Sequence, residues 1–180
     1  WVLCFSTMGM RPQGYIGRNR DNTGYLVGTW RPGEPFVPRV SCPQGCERHP
    51  DEFIPCDWGH NFYAPQTFLT PDGRRVQFGW MAALQFASPE MADGWCGQLT
   101  LPRELSLGES GMMVARPVEE LRRLLTDECA WGAVEVGPNE EHVLADDLTC
   151  GVVELALDLS GSDAERMGVE VLGGLDDEEG

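Results

Sequence analysis

An all-β fold, of propeller or sandwich type, is predicted by three features of this 180-residue sequence. Short apolar, β-favouring runs recur along it; Gly- and Pro-containing turns divide them; and no helical periodicity intervenes before residue 117.

The elements follow in order. WVLCFST (Trp1 to Thr7) and GYLVGTW (Gly24 to Trp30) read as two strands, and the polar, Gly- and Pro-containing stretch between them reads as a long hairpin loop. Residues 31–56 are rich in Pro, Cys and charge, which predicts a mostly irregular connection. Asn61 to Leu69 is the next strand. Pro71-Asp72-Gly73 follows as a turn, because Pro presets φ and Gly accepts φ > 0. Arg74 to Met81 returns antiparallel, and residues 82–93 form a loop. Cys96 to Leu105 is a further strand, which Pro102 directs to an edge or a bulge. PVEELRRLL (Pro117 to Leu125) is the one helical segment: Pro suits its first turn, Glu119 and Glu120 its positive end, Arg122 and Arg123 its negative end. Val118, Leu121, Leu124 and Leu125 would form an apolar stripe, and so short a helix must dock on a sheet. Val153, Leu155, Leu157 and Leu159 alternate with Glu154, Ala156 and Asp158, the period of a half-buried strand. Arg166 to Leu172 is a candidate for the strand after it, and the acidic tail from Leu175 is expected to fray.

Charge divides the chain. Residues 1–111 hold nine Arg against eleven Asp and Glu, a balance of −2; residues 112–180 hold four Arg against eighteen, a balance of −14. That break predicts two units, 1–111 and 112–180. The acidic second unit argues against nucleic acid or an anionic membrane as partner, since both would repel it. No apolar run approaches the roughly 20 residues needed to span a bilayer. All thirteen basic residues are Arg, which we read as base composition of the gene rather than function. The chain opens on Trp1 inside an apolar run, without an initiator Met, so a longer parent polypeptide is expected. With no secretory segment in the sequence, the expected compartment is the cytoplasm and most of the seven Cys are expected as reduced thiols. Cys42, Cys46, His49, Cys56 and His60 have a spacing that could supply four zinc ligands. Pro43, Gly45 and Pro50 instead mark a surface loop, so structural zinc, a Cys42–Cys46 disulfide and no bond at all remain open.

Several motifs in series resemble glycoside hydrolase family 32, the retaining β-fructosidases that include invertases, sucrose-6-phosphate hydrolases, inulinases and levanases. CDWGHNFYAPQTF is similar to the family's "D-G-DFYA-Qtf" strand, and GRRVQFGWM to its "GRR-l-GWm". GWCGQLTLPREL matches "GW-g-lTLPReL", and ARPVEELRRLL the helix that opens the family's second domain. WVLCFST and GYLVGTW resemble its preceding hairpin, whereas Glu135 to Cys150 matches weakly. The resemblance implies the last blades of a five-bladed β-propeller in 1–111 and the first part of a β-sandwich in 112–180, joined by one short helix. It also implies that Tyr63 and Trp80 line the pocket for the terminal fructosyl unit. Tyr63 would bring its hydroxyl near the catalytic carboxylates and Trp80 would form an aromatic wall. Asn61 would be a third substrate-contacting residue. The family usually has Asp there, so a hydrogen-bonding group is kept and a charge lost.

The reacting acids themselves are missing. A retaining glycosidase needs two carboxylates about 5 Å apart, one as nucleophile and one as acid/base. The family carries them in "W-N-D-P-N" and "E-C-P" motifs, with a stabilising Asp in "R-D-P", all upstream of the matched region. Arg20-Asp21-Asn22 lacks the Pro and Glu128-Cys129 comes too late in the chain, so both read as surface residues; Asp57 alone cannot fill two roles. The expectation is therefore part of a β-fructofuranosidase with no catalytic residue of its own, needing no cofactor or metal and completed by an upstream propeller segment. Its partner is a fructose-containing sugar, and the sandwich domain is where subunit contacts would form. Two other classes stay open: a non-catalytic carbohydrate-binding or interaction protein on the same fold, and a zinc-stabilised binding module built on the Cys/His loop.

Overall fold

Val2–Thr7 (β1) and Asn22–Thr29 (β2) pair antiparallel in a computed structural model that describes residues 1–9, 12, 21–39, 54–81, 89–145 and 152–171. Two short strands, Val37–Pro38 (β3) and Ile54–Pro55 (β4), add to β2 and complete a first sheet in the order β1-β2-β3, with β4 also on β2. The second sheet joins Tyr63–Leu69 (β5), Arg75–Met81 (β6), Arg103–Leu107 (β8) and Met113–Pro117 (β9) in that order, with Gln98–Leu99 (β7) paired to β6. All ladders are antiparallel, so the described architecture is all-β, as the turn-divided runs predicted. The two sheets meet where Ala64 N–H donates to Ser6 Oγ at 3.1 Å and the Tyr25 hydroxyl to Met113 O at 3.5 Å. Tyr25 and Thr23 of the first sheet, Gln77 of the second and Phe62 just before β5 are among the buried side chains.

Three differences from the sequence reading have physical causes. The single strand expected over Cys96 to Leu105 is two, because the chain leaves the ladder between Thr100 and Pro102. Pro102 has no N–H for a ladder, but its carbonyl accepts from Val118 N–H at 3.1 Å. Strand β9, absent from the sequence reading, pairs with β8 through a Gly108–Gly111 turn. It takes Pro117 as its last residue, opposite Arg103. The expected nine-residue helix consequently shrinks to a 3₁₀ turn, Glu119–Leu124, after an extended Val118. Three residues per turn align Val118, Leu121 and Leu124. Of these Val118 is buried, while Leu124 and the following Leu125 are 73% and 52% exposed, so the expected stripe does not dock as a unit. Arg74 ties this turn to the β5–β6 corner: its Nη2 lies 2.7 Å from Glu120 Oε1 and its Nε 2.8 Å from Asp72 Oδ2. The corner itself follows expectation, with Gly73 at φ +87°.

The chain divides into two compact units, Trp1–Thr126 and Asp127–Gly180. The described residues of the second hold turns and irregular chain but no strand or helix. The strand expected over Val153 to Leu159 is therefore not formed, nor is one present over Arg166 to Val171. Leu155, Leu157 and Leu159 are 42%, 47% and 50% exposed. An alternating sequence becomes a strand only when a neighbouring backbone takes up its N–H and C=O groups. No such neighbour lies alongside among the described residues. The rest of the expected strand, Leu172, and most of the first hairpin loop lie outside the described residues. No helix among them is long and apolar enough to cross a membrane.

Candidate functional site

Tyr63 and Trp80 are direct cross-strand partners at the end of the β5–β6 hairpin away from its turn. Opposed residues of an antiparallel pair share a sheet face, so the phenol and the indole leave the same face of the hairpin. Both are half-buried. Next to Tyr63 the register slips by a β-bulge before Gln66, and Ala64 takes φ +44°. A bulge re-aims the side chain beside it, and here the re-aimed residue is Tyr63. The bulge is held from the other sheet: Ala64 N–H bonds Ser6 Oγ, which lies 2.9 Å from Thr23 Oγ1.

Beneath the aromatic pair sits Phe62, 2% exposed. Its ring fills the space over Gly79, where a Cβ would fall 2.3 Å from Phe62 Cε2, so no other residue fits between Phe78 and Trp80 without displacing the ring. Gly79 is fixed at both backbone groups: its N–H donates to Thr100 Oγ1 at 3.0 Å, and its carbonyl accepts from Thr100 N–H at 2.9 Å. Arg103 also lies over the Phe62 ring, its guanidinium carbon 4.9 Å from the ring centroid. Arg103 Nη1 is 2.6 Å from Asp57 Oδ2, and Asp57 Oδ1 accepts from Gly59 N–H at 2.7 Å. Asn61, half-buried, places Oδ1 2.8 Å from His60 Nδ1.

Of the residues singled out in the sequence, Tyr63 and Trp80 are thus brought together, with Asn61 two residues from Tyr63. Asp57 is engaged by an ion pair and a backbone amide. Asp21 accepts from Gly9 N–H at 3.2 Å near the start of the first hairpin loop, and Glu128 and Cys129 are exposed. Cys42, Cys46 and His49 lie outside the described residues. Among those described, no three His, Cys, Asp or Glu side chains are grouped to hold a metal. Cys56 instead meets Cys4, a residue outside the expected cluster. The hydrogen bond between the two thiols, and then burial, push the Cys56 thiol well above its ordinary range, while the same bond lowers that of Cys4. None of Cys4, Cys56, Cys96 and Cys129 is in a disulfide. What the sequence reading missed is the support under the aromatic pair: Phe62, Gly79, Thr100 and Arg103. Their only sequence signal is membership of the FYA, GWM and TLPREL motifs.

The family model for the glycosyl hydrolases family 32 N-terminal domain matches residues 1–117. The chain belongs to glycosyl hydrolase family 32. Among the family's curated members it is 34% identical to sucrose-6-phosphate hydrolase of Escherichia coli, over 96% of this chain and 33% of that protein. It is 39% identical to raffinose invertase of Escherichia coli over 69% of this chain and 23% of that one. Among solved structures, a family 32 beta-fructofuranosidase of Bombyx mori superposes with a TM-score of 0.61 at 30% identity, covering 75% of this chain and 26% of that one. The chain spans about a third of the length of the first of these relatives.

Proposed function

We propose that this chain is part of a retaining β-fructofuranosidase that cleaves sucrose, sucrose 6-phosphate or fructo-oligosaccharides, and that it forms one wall of the fructosyl pocket. The observation that carries the reading is the Tyr63–Trp80 pair on a family 32 hairpin. An indole offers a flat apolar face to the C–H side of a sugar ring, and the phenol beside it offers a hydroxyl. Trp80 acts as the aromatic wall, Tyr63 sets its hydroxyl toward the reacting carboxylates, and Asn61 hydrogen-bonds the sugar. The two carboxylates are supplied by polypeptide upstream; one attacks the anomeric carbon and the other protonates the leaving oxygen, then activates water. The oxocarbenium-like transition state gains from negative charge on one side and a fixed ring on the other. No metal or cofactor takes part.

In this reading residues 1–111 are the last blades of a five-bladed propeller, and 112–180 begin a β-sandwich that carries subunit contacts. The change of charge balance at that point supports the division. The cytoplasm is the proposed location, in keeping with described cysteines that are not in disulfides. Incubated alone with sucrose or inulin, the chain releases no fructose above buffer; robust turnover would overturn the assignment of the acids to other polypeptide. In the complete polypeptide carrying this segment, Trp80→Ala lowers kcat/KM for sucrose by about two orders of magnitude, the scale of a lost substrate-positioning contact. If the complete polypeptide binds sucrose through Trp80 yet hydrolyses no fructosyl bond, the non-catalytic carbohydrate-binding reading replaces this one.

A further inference from the structure

We propose that Arg103 is a positioning residue for the fructosyl pocket, acting through Asp57 and Phe62 on Tyr63 and Trp80; this rests on the pocket reading above. Arg103 stands on β8 opposite Gln77 of β6, so its side chain starts from the strand next to the one that carries Trp80. From there its guanidinium makes two contacts five residues apart in sequence. Nη1 holds Asp57 Oδ2 at 2.6 Å, and the guanidinium carbon sits 4.9 Å over the Phe62 ring. Asp57 in turn closes a tight turn by accepting Gly59 N–H at 2.7 Å. One planar cation therefore fixes both ends of the stretch from Asp57 to Phe62, and Asn61 and Tyr63 are the residues flanking its far end.

The second half of the device is the Phe62–Gly79 contact. The ring occupies the place of the Cβ that Gly79 lacks, so any movement of Phe62 is passed to the backbone that bears Trp80. Thr100 pins that backbone through both groups of Gly79, three residues before Arg103 in the same TLPR run. The pair is also sheltered: the Arg103 and Asp57 side chains are 26% and 16% exposed, which limits solvent screening of their attraction. A planar guanidinium can satisfy a carboxylate at its edge and stack on an arene with its face; an ammonium can do only the first.

The test uses two readouts. In the 180-residue chain, hydrogen exchange at the Gly59 amide is measured for the wild type, Arg103→Met, Arg103→Lys and Asp57→Asn. In the complete polypeptide, kcat and KM for sucrose are measured for the same variants and for Trp80→Ala, per mole of folded protein. Arg103→Met should speed Gly59 exchange and lower kcat/KM about 10- to 100-fold, the scale of a misplacement of order 1 Å. Most of the loss should fall on KM, since a wall binds the ring in ground and transition state alike. Arg103→Lys, keeping the charge, should recover part of the loss. Arg103→Met with Asp57→Asn should be no worse than Arg103→Met alone, because the two act as one contact. Unchanged Gly59 exchange, additive losses, or an unchanged kcat/KM in Arg103→Met beside a crippled Trp80→Ala would each overturn the proposal. If Trp80→Ala itself leaves sucrose kinetics intact, the pocket reading falls and the role with it, while faster Gly59 exchange would still show that the clamp holds the turn.

Discussion

The β5–β6 hairpin and the segment from Val153 to Leu159 carry comparable β-favouring sequence, yet only the first is a pair of strands. In the hairpin a Pro-Asp-Gly corner brings the two runs back to back, and Gly73 adopts φ +87° to close it. Each run supplies the other's hydrogen-bond partner, and Val76 is buried as a result. In the later segment Leu155, Leu157 and Leu159 alternate correctly but stay exposed, and no backbone among the described residues runs beside them. Alternation states which face would be buried; it does not provide the neighbour that buries it.

The largest test of that contrast is a pair of truncations. Phe62→Ala, which removes the ring that contacts both Gly79 and Arg103, should cost about 3–5 kcal/mol in urea unfolding, the usual range for a buried aromatic. Leu155→Ala should stay within about 0.5 kcal/mol, as exposed positions do. Equal losses would mean that the later segment is packed as firmly as the hairpin. Gly79→Ala sharpens the comparison at one backbone position. Its methyl would overlap Phe62, so a destabilisation of about 1–3 kcal/mol is expected by overpacking, measured in the same urea series. Glycine 161, whose Cβ would meet nothing within 4 Å, should accept Ala with no overpacking cost.

The smallest effect is set by pH. Bonds from Thr70 and Arg74 hold the Asp72 carboxyl below its ordinary range, and Arg74 does the same for Glu120. A folded-state pKa below the unfolded one adds stability above the unfolded value, near 4, and that stability disappears as pH falls through the folded value. Acid titration of the wild type should therefore lose this small increment below about pH 4. Arg74→Met should already lack the share that Arg74 supplies to Glu120 and Asp72 at neutral pH, while the Thr70 bond to Asp72 remains. A pH profile of unfolding that is identical in shape for the two would remove Arg74 as the link between the hairpin corner and the 3₁₀ turn.

These contrasts show where the sequence was readable. Strands β1, β2, β5 and β6 were legible because each is an apolar run bounded by turn chemistry. The Tyr63–Trp80 pairing was not, since the register running from the corner puts Tyr63 opposite Met81 and only the bulge before Gln66 moves it to Trp80. Pro102 signalled trouble in its strand, though not that the ladder would stop for three residues. Strand β9 was missed because Met113 to Pro117 has no alternation of its own and is held by β8. The support under the Tyr63–Trp80 pair was invisible for a different reason. That Arg103 reaches Asp57, and that Phe62 takes the room vacated at Gly79, depends on a meeting of segments 46 and 17 positions apart, which no local period encodes.

Ala64 carries a consequence beyond binding. An L-residue held at φ +44° costs on the order of 1–2 kcal/mol, and the cost is met by the amide bond to Ser6 and by the neighbouring sheet. Glycine at this position would relieve that tension. A lineage adapting to hot surroundings would thus find a route to greater heat tolerance one position from the phenol proposed to face the sugar. Taking it would slacken the hinge on which that phenol's direction depends, so durability and accuracy are opposed at a single methyl group.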